Sequence, residues 1–137
     1  MSKSASLPSN DDSLWDDLVV SILSVNQYSL ERTYVFLGSL RENKITDPAS
    51  LARWQQQEIE EKLRAAGCDR GLFMTKLFAE RLSALGELIY KKGIAECEKA
   101  ISSQDARVIE AFLMPVKGIG PKVLRNFYSL REIKVPK

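Results

Sequence analysis

Apolar residues along this chain recur every three or four positions, and no run alternates apolar and polar residues as a half-buried strand would. Leu14, Leu18, Ile22 and Val25, with Trp15 and Val19 beside them, form the first such stripe. It follows the capping candidates Asp11 to Ser13 and predicts a helix. Ser29 is placed to cap a second helix, with Leu30, Tyr34, Leu37 and Leu40 on one face and an end near Asn43. Asp47 sets a capping carboxylate ahead of Pro48, a residue suited to the first helical position, and so predicts a short helix through Leu51 and Trp54. A fourth helix, roughly residues 56–66, stops at Gly67.

The longest pattern runs from about Leu72 to Lys92, carrying Met74, Leu77, Phe78, Leu82, Leu85, Leu88 and Ile89 ahead of Gly93. It predicts the central packing helix. Ser102-x-x-Asp105 has the spacing of a capping box and opens a helix bearing Val108, Ile109, Phe112 and Leu113. After Pro115-Val116-Lys117-Gly118-Ile119-Gly120, Pro121 starts a last helix with Val123, Leu124, Phe127 and Tyr128. The expected fold is all-α, a compact helical bundle or barrel over residues 13–137, preceded by a polar arm over residues 1–12. Trp15, Trp54, Phe73, Phe78 and Phe112 fall on apolar helix faces, which predicts core positions for all five.

Composition narrows the chemistry. A chain of 137 residues with 45% hydrophobic content supports one core and excludes two large domains. It holds no histidine, which removes Ser-His-Asp and Cys-His nucleophile pairs, His-ligated metals and an imidazole base. Proton transfer would fall to carboxylates, lysines or tyrosines. Cys68 and Cys97 have neither CxxC nor four-thiolate spacing, so no iron–sulfur cluster, metal or other cofactor is expected. They read as reduced, buried thiols of a cytoplasmic protein. No apolar run is long enough to span a membrane, and residues 1–13 lack the apolar core of a signal peptide.

The net charge of +2 hides a gradient. Residues 1–60 carry 5 Lys/Arg against 9 Asp/Glu, whereas residues 61–137 carry 15 against 9. Beyond residue 110, Lys117, Lys122, Arg125, Arg131, Lys134 and Lys137 face a single acid, Glu132. Such a basic end is either a solvated tail or one polyanion-facing surface.

The segment Phe112 to Phe127, FLMPVKGIGPKVLRNF, decides which reading to pursue. Gly118 and Gly120 permit positive φ and a close approach of bare backbone to a ligand, while Ile119 tucks inward to hold the turn. A helix begins at once, with unpaired N–H groups at its positive end, where a phosphate oxygen would find donors and no side-chain obstruction. Lys117, Lys122 and Arg125 add positive charge. A tight turn that needs glycine for geometry alone is the plain alternative. With its flanking apolar helices, this segment resembles a helix-hairpin-helix DNA-backbone-binding motif, over about residues 105–130. The resemblance extends through ILSVNQYS, KITDPASLARWQQQEIEEKLRAAG and VKGIGPK to the helix-hairpin-helix DNA glycosylase superfamily typified by endonuclease III, over roughly residues 14–131.

This resemblance implies a six-helix domain forming one wall of a DNA-binding cleft, and a role in base-excision repair as a glycosylase or abasic-site lyase. The expected partner is duplex DNA, abasic or damaged, held through Lys117, Gly118, Ile119, Gly120, Lys122 and Arg125. The resemblance also leaves room for a monovalent cation at the hairpin, and for a nucleoid-associated location in a bacterium or archaeon. Lys122 stands where bifunctional members keep a catalytic lysine, whose neutral amine attacks a sugar C1′ to form a Schiff base. It serves equally as a phosphate contact. The family's essential aspartate, about eighteen residues further on, falls beyond the end of this chain, as does the second domain. A separate protein chain supplying that half is therefore the alternative partner, with this chain as a non-catalytic interaction subunit. Asn26 and Gln27 match the region where family members keep an amide that fills the gap left by an extruded nucleotide, or they close the loop between two helices. The segment Cys68 to Thr75 is longer than the family's usual connection and predicts a reshaped loop.

Overall fold

A computed structural model describes residues 12–25 and 28–134. Among them the chain is all-α, with no strand, in the order α1 (Asp12–Leu23), α2 (Leu30–Tyr34), α3 (Leu37–Glu42), α4 (Pro48–Arg53), α5 (Gln56–Ala65), α6 (Gly71–Lys92), α7 (Ile94–Ile101), α8 (Ala106–Leu113) and α9 (Pro121–Arg131). The expected polar arm, apart from the backbone of Asp12, lies outside the described residues.

The long periodic stretch is the packing centre that its pattern predicts. Helix α6 touches α1, α4, α5 and α7, burying Phe78, Ala79, Leu82, Leu85, Gly86 and Ile89. At Gly86 the backbones of α6 and α4 meet, because a Cβ there would run into the Leu51 carbonyl. Asp47 caps α4 as its sequence promises: its carboxylate accepts from the Ser50 backbone N–H at 3.3 Å and from the Ser50 hydroxyl at 2.7 Å.

Helix α1 is buried on every side, polar positions included. Its two buried acids, Asp16 and Asp17, both have partners. Arg41 of α3 pairs with Asp16, while Asp17 accepts from the Tyr34 hydroxyl at 2.5 Å and from Arg131 of α9 at 3.1 Å. Burial, reinforced by Asp17, holds the Tyr34 hydroxyl protonated far above its ordinary range. Helices α2 and α3 on one side and α9 on the other are thus tied to α1 by charge as well as by apolar packing.

Four expectations need correction. The helix expected from Leu30 to Asn43 is two helices, because the chain turns at Val35 and Phe36. Val35 is left exposed, while the Phe36 ring packs 3.5 Å from where a Cβ on Gly67 would stand. Helix α7, which no long stripe announced, fills the interval after Gly93 and buries only Cys97 and Ile101. Ser102 and Asp105 form no capping box: Asp105 is itself the N-cap of α8 and accepts from the Arg107 N–H at 2.9 Å. Finally, Phe73 is 76% exposed rather than in the core, and its neighbour Leu72 is 83% exposed, since they occupy the first turn of α6 beyond the reach of the helices that cover it.

Candidate nucleic-acid interface

Helices α8 and α9 are joined by residues 114–120, and the chain folds back on itself there. The Tyr128 hydroxyl on α9 donates to the Ala106 carbonyl at the start of α8, at 3.0 Å. Helix α8 buries Ala106, Ile109 and Leu113; α9 buries Val123, Leu124, Phe127 and Tyr128. Helix α9 is therefore anchored through the stripe that the sequence shows; in α8 Ile109 and Leu113 keep theirs, but Val108, expected on that face, is 43% exposed and Ala106 is buried instead.

Within the connection between the two helices the apolar positions divide, with Met114 49% exposed and two others turned inward. Val116 and Ile119 are buried, and the Ile119 N–H donates to the Val116 carbonyl at 3.2 Å. The inward tuck expected of Ile119 is present. Lys117 and Gly118 face solvent, with Gly118 at φ +91°, a backbone state that a side chain would strain. Gly120 adopts an extended conformation, φ −121° and ψ −168°, and is the N-cap of α9; a Cβ there would meet nothing within 4 Å. No backbone bond among the described residues takes the N–H of Gly118 or Gly120. Pro121 follows at the first helical position, with its missing N–H where none is required. The result is an open edge of main-chain donors at the positive end of an eleven-residue helix.

The cations are distributed unequally around this edge. Lys122 and Arg125 are exposed on one face of α9, followed by exposed Ser129. Lys117 is exposed too, but its ammonium meets the Glu80 carboxylate of α6 at 3.1 Å. Sequence spacing gave no sign of that pairing, and it lowers the positive charge expected beside Lys122. A second residue of α6 is closer still to the turn: the side chain of Arg81 lies against the bare Cα of Gly118.

The other expected contact region, Asn26 and Gln27, lies outside the described residues. Its flanks are held firmly. The Tyr28 N–H donates to the Val25 carbonyl at 3.1 Å. Asn126, a buried residue of α9, donates its amide to the Ser24 carbonyl at 2.8 Å and to that of Ser21 at 3.2 Å, satisfying the carbonyl end of α1. Arg70 donates to the Leu23 carbonyl at 2.6 Å, and its guanidinium carbon lies over the Tyr28 ring, 3.8 Å from its centroid. Burial lowers its affinity for its proton. Of the segment Cys68 to Thr75, expected as a reshaped loop, the residues from Gly71 onward belong to α6, and the Arg70 N–H donates to the Thr75 hydroxyl at 2.7 Å. The roles of Arg70 and Asn126 are not legible in the sequence, because each acts on a carbonyl dozens of residues away.

Comparison of the chain with protein-family models, with curated proteins and with solved structures finds no match. No helix is long and apolar enough to cross a membrane among the described residues. Cys68 and Cys97 are free and buried.

Proposed function

We propose that this chain is a DNA-binding domain of base-excision-repair type, with α8, the connecting turn and α9 acting as a helix-hairpin-helix grip on one phosphate backbone. The observation that carries the reading is the turn itself. Gly118 and Gly120 present unengaged main-chain N–H groups at the start of α9, with Lys122 and Arg125 exposed on the same helix. Main-chain donors and cations fix a phosphate without reading a base, so the binding is independent of sequence and sensitive to salt. Lys122 then has two roles open to it, as a phosphate contact or as the amine that opens an abasic site.

The exposed pair Leu72 and Phe73 favours a second reading, a non-catalytic subunit that docks another protein chain through this apolar spot. One experiment separates the two. Fluorescence anisotropy with labelled duplexes of unrelated sequence, at low salt, is expected to give similar affinities that fall together as salt rises. Gly120→Val leaves the fold room to accept the side chain and is expected to weaken every duplex alike, more so with Lys122→Ala. Affinity unchanged in that double variant removes the turn from the interface; absence of wild-type binding at low salt leaves the protein-docking reading.

A further inference from the structure

The cations assigned to the turn from sequence all come from the turn and α9, but the side chain nearest to its glycine belongs to α6. A Cβ on Gly118 would meet Cγ, Cδ and Nε of Arg81, the last at 2.7 Å. The aliphatic stem of Arg81 therefore lies along the strip of main chain that the absent Cβ leaves bare, and this brings its guanidinium to the edge of the turn. On its other side the guanidinium is 6.0 Å from the centroid of the Phe78 ring, whose burial fixes that wall in place. Arg81 is half-buried and, among the described residues, forms no ion pair and no hydrogen bond. Its sequence neighbour Glu80 is committed to Lys117.

A half-buried guanidinium is held in one orientation by its stem, yet it leaves its donors unspent. Lys117 has its charge countered by an acid; Arg81 has not. A planar fork beside Gly118, at a turn whose main-chain N–H groups are unengaged, is suited to a phosphodiester, whose two non-bridging oxygens can accept from a fork and from backbone at once. Resting on the proposed DNA-binding reading, we infer that Arg81 is a further phosphate-binding residue of this site, contributed across the turn by α6. Glycine at position 118 then serves two ends: it permits the positive φ of the turn, and its missing Cβ clears the space in which Arg81 lies.

The test measures the salt dependence of duplex binding by fluorescence anisotropy for wild type, Lys122→Ala, Arg81→Met and Arg81→Lys, with thermal melting of each. Methionine keeps a stem against Gly118 and loses the charge. If Arg81 holds a phosphate, Arg81→Met binds several-fold more weakly at low salt, and its plot of log affinity against log salt is shallower by about 0.9. Arg81→Lys keeps the slope with lower affinity, since the charge remains and the fork is lost. A slope for Arg81→Met equal to that of wild type, while Lys122→Ala loses its share, overturns the assignment and leaves Arg81 as packing for Gly118. If wild type itself fails to bind any duplex at low salt, the DNA-binding reading falls first and the assignment with it. Should Arg81→Met melt well below wild type, Arg81→Lys against Arg81→Gln, both without the guanidinium, supplies the same comparison of slope with and without the charge.

Discussion

The Cα of Gly86 on α6 stands against the carbonyl of Leu51 on α4, and no other residue type fits between them. Alanine in place of glycine ordinarily steadies a helix by about 0.5–1 kcal/mol. Here the added methyl meets main chain, which cannot rotate away, so the two helices must separate. Overpacking of this kind costs about 1–3 kcal/mol, and more where backbone is the obstacle. Gly86→Ala is therefore expected to lower the urea midpoint with little change in slope. A midpoint at or above that of wild type would show that the α4 and α6 backbones are not in contact.

The elements that this contact joins were legible in the sequence for a physical reason. Leu82, Leu85 and Ile89 repeat on one face over a long stretch, and Asp47-Pro48 is a start signal with its mechanism in the residues themselves. The Gly118-Ile119-Gly120 turn was legible for the same reason, its conformation being dictated locally. What the sequence concealed is non-local. Glu80 and Arg81 look like ordinary solvated positions on α6 until the fold brings Lys117 and Gly118 to them. Asn126 looks like an interruption in the apolar face of α9 until it meets the carbonyls of Ser21 and Ser24. Phe73 illustrates the converse: its spacing from Leu77 identifies a face, but spacing alone does not say how far along that face the covering helices extend.

The two thiols predict an alkaline limit to stability. Burial raises Cys68 above its ordinary value of 9.0, with Arg70 pulling the other way; burial also raises Cys97, reinforced by Glu98 and Glu96. Just above the ordinary value the unfolded chain loses these protons while the folded chain keeps them. The folded state then binds more protons, so stability falls as pH rises. Their full contribution is present below about pH 8.5 and is lost progressively through the folded values. Half-buried Tyr34 and buried Tyr128, raised first by desolvation, steepen the loss further up the scale. Urea midpoints are expected to stay level from about pH 6 to pH 8 and to drop from about pH 9, with a gentler early drop in Cys68→Ala and Cys97→Ala. A midpoint that is level through pH 10 in wild type contradicts the burial of both thiols.

Lys122 supplies the remaining prediction. It is exposed on the first turn of α9, two residues beyond the open Gly120 edge, so an abasic sugar on a gripped backbone would pass close to its amine. Passing close is not the same as being held, and fixed orientation is a large part of the rate of any such attack. Schiff-base formation links Nζ to C1′ of the opened sugar with loss of water, and borohydride reduces that linkage to a stable covalent adduct. Incubation with abasic-site duplex and borohydride is expected to give a low yield of adduct that disappears in Lys122→Ala, while DNA affinity falls only about as far as one lost phosphate contact allows. Adduct that survives in Lys122→Ala would assign the reaction to another amine, with Lys117 next to be replaced. Complete absence of adduct in wild type, at concentrations where the duplex is bound, would confine Lys122 to holding phosphate.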